Sequence, residues 1–401
     1  MRTTYKVRAY PTPEQSAVLN RTFGCVRLVW NKVLAWRHAR YHTEELKTSY
    51  AQTDRYLTEL KREGGHDFLY EVSSVPLQQA LRHQYTAFVN FFAGRTKYPR
   101  YKSRRGKQAA TYTRSAFRWK GGRLVLGKMD GPLEFVWSWP NLDPASIDPT
   151  TVTVSRDPDG RWYISLAIDS NDNDSEQLPP VGHAVGVDLG VKDFAVTSDG
   201  ERIANPRHLE RKAKNLARYQ RRMARKQRGS SNRVKAKAKV ARAHRKVRDA
   251  RADFLHRAST RLIRQADTIV IEDLNVSGMV KNRSLARAVS DCGWGEFRRQ
   301  LEYKTAKYGR RLIVIDRWYP SSKTCSACGH LLAALSLSTR HWTCPDCGTR
   351  HDRDINAAKN ILAAGRAVSA CGADVRHSGS SPVRSAVKQE PQPLKAGIPR
   401  P

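Results

Sequence analysis

Long apolar segments are missing from this sequence of 401 residues. No run reaches the roughly 18 apolar residues from which a transmembrane helix is recognised. The N-terminal MRTTYKVRAYPTPEQ also lacks the apolar stretch of a secretory signal. These absences argue against a membrane-embedded or secreted protein, and we expect the chain to stay in the cytoplasm, where thiols are reduced.

Acidic residues are scarce relative to basic ones. Lys and Arg number 72 against 37 Asp and Glu, which gives a formal net charge of +35. This excess is larger than solubility requires and predicts a polyanionic partner, with nucleic acid as the first candidate. An anionic membrane surface is the alternative, but the basic segments lack the sustained apolar stripe that such binding needs.

Cysteines number only seven, yet four of them form a cluster in the sequence. The pattern is Cys325-x2-Cys328, then 15 residues, then Cys344-x2-Cys347. Four thiolates at this spacing suit a tetrahedral Zn²⁺ site, whereas a redox dithiol needs only one pair. Because four ligands leave no position for water, the sequence predicts one structural zinc. The remaining cysteines have no such context and are interpreted as bystanders: Cys25, Cys292 and Cys371.

The N-terminal half alternates between strand and helix patterns. Residues 1–10 predict one strand, and residues 106–180 predict short strands with a hairpin at Asp159-Gly160. Since the first strand has no partner nearby, we expect it to join the later strands in a small antiparallel β-barrel. Residues 11–105 have helical spacing and would be an insert in that barrel. The barrel region ends in a polar linker at 170–180.

The C-terminal half predicts an α/β domain formed by residues 181–319 and 351–366. Residues 320–350 carry the cysteines as a zinc ribbon, and the Pro/Ser/Gly-rich residues 367–401 are expected to be disordered. The order of elements is three strands, a helical region, a strand, a helix, a strand and a last helix. This is the plan of the ribonuclease-H-like fold, so the fold class is a multi-domain chain with α/β and all-β parts.

A basic helical hairpin is predicted over residues 207–264, interrupted at 229–232. It holds 22 Lys/Arg and only 3 Asp/Glu, over half of the net charge. A merely solvated face would mix the two signs, so binding to a phosphate backbone is favoured. The candidate contacts lie at its centre: Arg221, Arg222, Arg225 and Lys226.

Three acids lie where a catalytic metal site would form. Asp188 follows the apolar AVGV, Glu272 follows TIVI, and Asp354 opens the helix DINAAKNI. Each acid alone could be a turn residue or an N-cap. In the ribonuclease-H-like order, however, they come together at one site. Hard carboxylate oxygens bind Mg²⁺ or Mn²⁺, and such ions hydrolyse phosphodiesters, so the sequence predicts a metal-dependent nuclease.

Other acids in the same elements compete for these roles. Asp273 is expected to face away from Glu272, because side chains alternate along a strand. Spacing does not decide between Asp352 and Asp354, since residues i and i+2 do not share a helical face. The remaining competitors are Asp193 and Asp316.

Several sequence blocks resemble the TnpB family, the OrfB-type proteins of bacterial insertion sequences. The resemblance covers about residues 1–364. Its blocks are YKVRAYPTPEQ, PLQQAL, FFAGRTKYPRYKS, GVDLGVKDFAV, IVIEDL, DCGWGEF with RQLEYKTAKYG, YPSSKTCSACG and WTCPDCGTRHDRDINAAKNI.

The resemblance implies an RNA-guided DNA endonuclease related to type V CRISPR effectors. Such a protein binds a guide RNA from the transposon end and cuts double-stranded DNA beside a short adjacent motif. It has a RuvC-like nuclease domain, a wedge barrel with a helical recognition insert, and a zinc knuckle. The family pattern selects Asp354 over Asp352 as the third catalytic acid, and it implies that Tyr50 and Gln78 read the adjacent motif. It also implies a bacterial or archaeal cell, association with the nucleoid, and action as a monomer with RNA.

Two other functions fit part of the sequence. One is a transposition regulator or guided DNA-binding protein that does not cut, against which the three intact acids argue. The other is a transposase. A single-strand transposase needs a His-x-His metal motif, which is absent from the sequence, whereas a transposase with a carboxylate trio stays chemically possible.

Overall fold

The computed structural model describes residues 2–169, 177–336 and 338–370. The chain divides into two compact units, one of residues 1–174 with 219–242 and one of residues 175–218 with 243–401. None of the helices within the described ranges combines the length and apolar character needed to cross a bilayer.

The first unit contains a five-stranded antiparallel sheet in the order β2-β6-β7-β1-β5, with a separate β3-β4 hairpin. The N-terminal strand pairs with β7 along its whole length, which confirms that it joins the later strands. The hairpin predicted at Asp159-Gly160 joins β6 to β7. Closure of this sheet into a barrel stays a prediction. The strands are β1 (Arg2–Ala9), β2 (Gln108–Thr113), β3 (Phe117–Lys120), β4 (Arg123–Leu126), β5 (Phe135–Val136), β6 (Thr151–Arg156) and β7 (Trp162–Asp169).

Three helices lie between β1 and β2, as their apolar spacing predicts. They are α1 (Pro13–Glu44), α2 (Tyr50–Arg62) and α3 (Ser74–Phe92). The first two begin with capping boxes, in which Thr12 and Ser49 each accept a hydrogen bond from a backbone N–H three residues later. Their apolar faces share one buried core with the sheet, centred on side chains such as Leu19, Leu77 and Val152.

The second unit is built on a sheet in the order β10-β9-β8-β11-β12. The strands β8, β11 and β12 are parallel, whereas β9 and β10 run antiparallel to their neighbours. This matches the predicted order of strands. They are β8 (Ala184–Leu189), β9 (Asp193–Thr197), β10 (Arg202–Ala204), β11 (Thr268–Glu272) and β12 (Arg311–Ile315). The predicted strand RLIVIDRWYP ends earlier than expected, because Asp316 begins a turn.

Helices follow the strands in the predicted alternation. The basic segment forms α4 (His208–Ala224) and α5 (Ser231–Gln265), and their connection is closed by Arg233, which donates to the carbonyl of Lys226 at 2.7 Å. The others are α6 (Val276–Met279), α7 (Ala286–Cys292), α8 (Trp294–Tyr308) and α9 (Arg353–Ala370), and the cysteine-rich segment contains a hairpin of β13 (His341–Thr343) and β14 (Arg350–Asp352).

Both faces of the second sheet are covered by helices. One face packs through Val187 and Ile271 against apolar side chains of α5 and α8, such as Leu262 and Phe297. The opposite face packs through Val270, Ile313 and Ile315 against Ile361 of α9. Because side chains alternate along a strand, the face covered by α9 is also the face of Gly186, Asp188 and Glu272.

The helix α9 lies unusually close to the sheet. A Cβ atom added to Gly186 would lie 2.1 Å from the carbonyl oxygen of Ala358, and one added to Gly365 would lie 2.5 Å from Cγ1 of Val270. Both distances are far below van der Waals contact. Glycine is therefore required on the strand and on the helix for this packing.

The end of the chain differs from its predicted boundary. Residues 367–370 were expected to be disordered, but they continue α9, because the turn at Gly365 packs against β11 and extends the helix beyond it. The rest of the expected tail, 371–401, and residues 170–176 of the expected linker lie outside the described residues.

Replacing Gly186 by alanine is expected to displace α9 and destabilise the protein. The added methyl group meets backbone atoms of α9, which cannot rotate away, so the free energy of unfolding should fall by about 1–3 kcal/mol or more. Chemical denaturation measures the change.

A matched control is Gly295→Ala in α8, where an added Cβ has no atom within 4 Å. Removing a helical glycine there should leave stability unchanged or raise it by up to about 1 kcal/mol. Equal free energies of unfolding for the two variants would contradict the close packing of α9.

Candidate functional site

The three predicted acids lie at one end of the second sheet. Asp188 and Glu272 follow the paired residues Val187 and Ile271 at the carboxyl ends of two adjacent parallel strands. Asp354 is in the first turn of α9, the helix that covers the same face. The carboxylates of Glu272 and Asp354 both act electrostatically on that of Asp188, so the structure brings the trio together.

The site concentrates negative charge where water is scarce. Burial, followed by repulsion from Glu272 and Asp354, raises the pKa of Asp188 to about 7. Burial also raises the pKa of Glu272, although a hydrogen bond from Ser321 opposes this shift. A divalent cation bound to such a cluster of hard oxygen ligands would reduce this repulsion further than the neighbouring arginines do.

The three carboxylates are not all in mutual close contact. Among the described residues, only the four cysteines form a group of three or more His, Cys, Asp or Glu side chains whose ligand atoms all lie within 4.8 Å of one another. At least one pair in the acid trio is therefore farther apart.

Neighbouring side chains orient two of the acids. The hydroxyl of Ser321 donates to Oε1 of Glu272 at 2.7 Å. Asp354 lies between two guanidinium groups, with Oδ2 at 3.5 Å from Arg202 and Oδ1 at 3.6 Å from Arg340. Sequence reasoning did not identify these three residues, because none of them lies near its acid in the sequence.

Each competing acid of the C-terminal strands and helix has another role. Asp352 accepts from the backbone N–H of Asp354 and Ile355 at 3.1 and 3.0 Å, so it caps α9. Its Oδ2 atom also pairs with Arg202 at 2.7 Å. Asp316 accepts from the backbone N–H of Trp318 at 2.7 Å and closes a turn.

The other two competitors are bound by arginines. Asp193 pairs with Arg202 at 2.8 Å. Asp273 contacts both Arg298 of α8 and Arg317, on the side of the sheet away from α9. The expectation that Asp273 faces away from Glu272 is therefore confirmed.

The four cysteines form a second candidate metal site. The Sγ atoms of Cys325 and Cys347 are 3.7 Å apart, as are those of Cys328 and Cys344. Four sulfurs about 2.3 Å from a central ion in a tetrahedron are about 3.8 Å from one another, so the geometry fits a tetrahedral metal. Nε2 of the buried His351 also lies 3.0 Å from Sγ of Cys325.

Two buried asparagines attach the cysteine segment to α9. Asn356 donates to the carbonyl of Thr324 at 2.7 Å and accepts from the N–H of Ser326 at 2.9 Å. Asn360 donates to the carbonyls of Ser321 and Thr324 at 2.8 and 2.6 Å. The first CxxC turn and Ser321 are thus held by the helix that carries Asp354.

The predicted nucleic-acid contacts lie in the first unit. Tyr50 opens α2 and Gln78 is on α3, where both are half-buried, and the guanidinium of Arg82 lies 5.2 Å from the Tyr50 ring centre. The four basic residues of the hairpin are exposed, two at the end of α4 and two just after it: Arg221, Arg222, Arg225 and Lys226.

Known proteins are similar to this chain along its length. Family models match residues 159–283 ("Probable transposase", of the OrfB type), residues 294–361 ("Cas12f1-like, TNB domain") and residues 1–45 ("Helix-turn-helix domain"). A protein of Streptomyces pristinaespiralis, named as a candidate RNA-guided DNA endonuclease, is 54% identical over 99% of this chain and 98% of its own length. InsQ of Escherichia coli K12, with the same description, is 33% identical over 96% of both chains.

A solved structure has the same fold at low sequence identity. One chain of a Cas12f1–sgRNA–target DNA complex matches with a TM-score of 0.57 and 15% identity, over 90% of this chain and 98% of that chain. Similarity to relatives over nearly the whole chain, together with the OrfB-type match, shows the family. The chain belongs to the TnpB family of OrfB-type proteins of insertion sequences.

Proposed function

We propose that this chain is an RNA-guided DNA endonuclease that hydrolyses phosphodiester bonds at Asp188, Glu272 and Asp354. The observation that carries the proposal is the meeting of two acids from adjacent parallel strands with a third from α9. The guide RNA and the DNA target are proposed from relatives named as candidate enzymes of this kind. Cleavage beside a short adjacent motif would support retention and transposition of the encoding element.

The trio fits Mg²⁺ or Mn²⁺. Its candidate ligands are carboxylate oxygens, the ligand type that these ions prefer, and the carboxylates of Glu272 and Asp354 are close enough to that of Asp188 to act on it electrostatically. When bound, such ions activate the attacking water and stabilise the leaving oxygen. The protein's own part is to hold the carboxylates: Ser321 orients Glu272, and Arg202 and Arg340 flank Asp354.

The rest of the chain would bind the nucleic acids. We assign guide and target backbone contacts to the exposed arginines and lysine of the basic hairpin, and adjacent-motif reading to Tyr50 and Gln78. The proposed domains are a wedge barrel (1–10 and 106–180), a recognition insert (11–105), a RuvC-like nuclease (181–319 and 351–370, extended to the end of α9), a zinc ribbon (320–350) and a tail (371–401). This role places the chain in the cytoplasm beside nucleoid DNA, as a monomer with its RNA.

Substituting any acid of the trio by its amide is expected to abolish cutting but keep DNA binding. The amides of Asp188→Asn, Glu272→Gln and Asp354→Asn preserve shape and remove a metal ligand, so single-turnover cleavage should slow on the order of 1,000-fold. The measurement uses chain purified with its transposon-end RNA, Mg²⁺ and a plasmid with the guide-matched target.

The matched control is Asp199→Asn, an exposed acid of the same unit that pairs with His183 at 2.9 Å. It should cut like the unchanged protein. Guide-dependent binding without cuts in the unchanged protein would favour a guided binding protein, and joined DNA strands without bound RNA would favour a transposase.

Arg202 is expected to position Asp354. Its guanidinium pairs with Asp193 of β9 and with Asp352, and it lies near Asp354 of α9. The substitution Arg202→Gln removes this positive charge from all three acids. Cleavage should slow about tenfold, and the protein should lose about 1–3 kcal/mol of stability. Thermal unfolding and cleavage rates measure both effects.

Its control is Arg261→Gln, which removes the pair of this exposed arginine with the half-buried Glu201 in the same unit and no contact with the trio. A pair of this kind contributes about 0–1 kcal/mol to stability, so the cleavage rate and the melting temperature should stay near those of the unchanged protein. Cleavage as fast in Arg202→Gln as in this control would reject the positioning role.

Zinc is the proposed ion of the cysteine site, because four thiolates at tetrahedral spacing suit it. Elemental analysis should find one zinc per chain in the unchanged protein and a clear loss in Cys344→Ser, whose melting temperature should also fall. The control is Cys371→Ser, at a cysteine outside both CxxC pairs, which should keep its zinc. A protein that contains iron, or that keeps its zinc in Cys344→Ser, would contradict the assignment.

A further inference from the structure

The loop after β12 carries the most exposed large apolar side chain among the described residues. The side chain of Trp318 is 84% exposed. The other tryptophans of the same unit, Trp294 and Trp342, are 3% and 8% exposed. An indole usually contributes to stability by being buried, so Trp318 does not serve the core.

The loop around Trp318 is nevertheless held in place. Asp316 accepts a hydrogen bond from the N–H of Trp318, and Arg317 pairs with Asp273. Tyr319 packs against the apolar cluster between the sheet and α9. Ser321 is bonded to both Glu272 and Asn360. The indole therefore projects into solvent from a fixed backbone.

The loop that carries Trp318 lies next to the candidate catalytic site. Trp318 is three residues from Ser321, whose hydroxyl contacts Glu272 at 2.7 Å. Three residues span at most about 10 Å of backbone. With the two side chains and the contact to Glu272 added, the indole lies within about 20 Å of that carboxylate, which is on the order of six nucleotides at about 3.4 Å per nucleotide.

An exposed, fixed indole beside a phosphodiesterase site has a clear chemical partner. Every nucleobase has a flat face that stacks on an aromatic ring, and such stacking is the usual means of holding single strands without reading their sequence. A base inside a duplex is covered by its neighbours, so only an unpaired base offers that face. The net charge of +35 favours a strand of nucleic acid over an apolar partner.

We propose that Trp318 stacks on an unpaired base of the DNA strand being cut, within about six nucleotides of the scissile phosphate. This inference rests on the proposed nuclease function and deepens it. The indole positions the strand, and the carboxylates act on its phosphate. The strand is therefore single-stranded where it enters the site.

The first test measures stacking without cleavage. A short single-stranded DNA containing the fluorescent base 2-aminopurine is bound to the full chain carrying Asp188→Asn, in the absence of Mg²⁺. Stacking on an indole quenches this base. The emission of 2-aminopurine should therefore be higher with the double variant Asp188→Asn, Trp318→Ala than with Asp188→Asn alone. With Asp188→Asn, Trp318→Phe it should stay mostly quenched. Leu331→Ala removes another exposed apolar side chain, 56% exposed, and should not change the emission.

The second test measures cleavage by the guide-loaded chain with an intact trio. Trp318→Ala should slow single-turnover cutting about 10- to 100-fold and leave the melting temperature unchanged, and Trp318→Phe should restore most of the rate. Equal quenching and equal cleavage in Trp318→Ala and Leu331→Ala would overturn this inference. Failure of the unchanged chain to cut guide-matched DNA would instead reject the proposed nuclease function, and the quenching test would still report on Trp318.

Discussion

The close approach of α9 to the sheet is the constraint on which the candidate site depends. Gly186 on β8 and Gly365 on α9 allow backbone and side-chain atoms of the opposite element to occupy the volume of a Cβ. Because residues two apart on a strand share a face, the strand position that admits the helix at Gly186 also directs Asp188 toward the start of that helix. The carboxylate of Asp354 can join the other two only while this packing holds.

This arrangement brings three carboxylates close enough to repel one another. The other acids around the site are instead paired with arginines. Asp193 and Asp352 are neutralised by Arg202, and Asp273 by two arginines on the other side of the sheet. In the trio, burial and then repulsion from Glu272 and Asp354 raise the pKa of Asp188, although Arg202 and Arg340 flank Asp354. A divalent cation held by the trio would relieve this repulsion, so the arrangement favours binding over the stability of the ion-free protein.

Much of this arrangement could be predicted from the sequence, because it follows from local patterns. The alternation of strands and helices and the two CxxC turns depend on periodicity and spacing. The choice between Asp352 and Asp354 could not be made from spacing, since it depends on which carboxylate folds back to cap α9. The end of β12 at Ile315 and the exposure of Trp318 depend on a turn closed by Asp316 and on contacts with distant elements. Residue spacing and periodicity do not predict contacts between residues that are distant in the sequence.

The same helix also joins the cysteine site to the carboxylates. Asn356 and Asn360 are buried, and their amides bind backbone groups between Ser321 and Ser326. An amide buried without these partners would be unfavourable, so the first CxxC turn and α9 stabilise each other. Ser321 belongs to this segment and contacts Glu272 as well. A structural metal held by these cysteines would therefore affect the proposed catalysis without touching substrate, because it would fix the segment that orients Glu272 and carries Trp318.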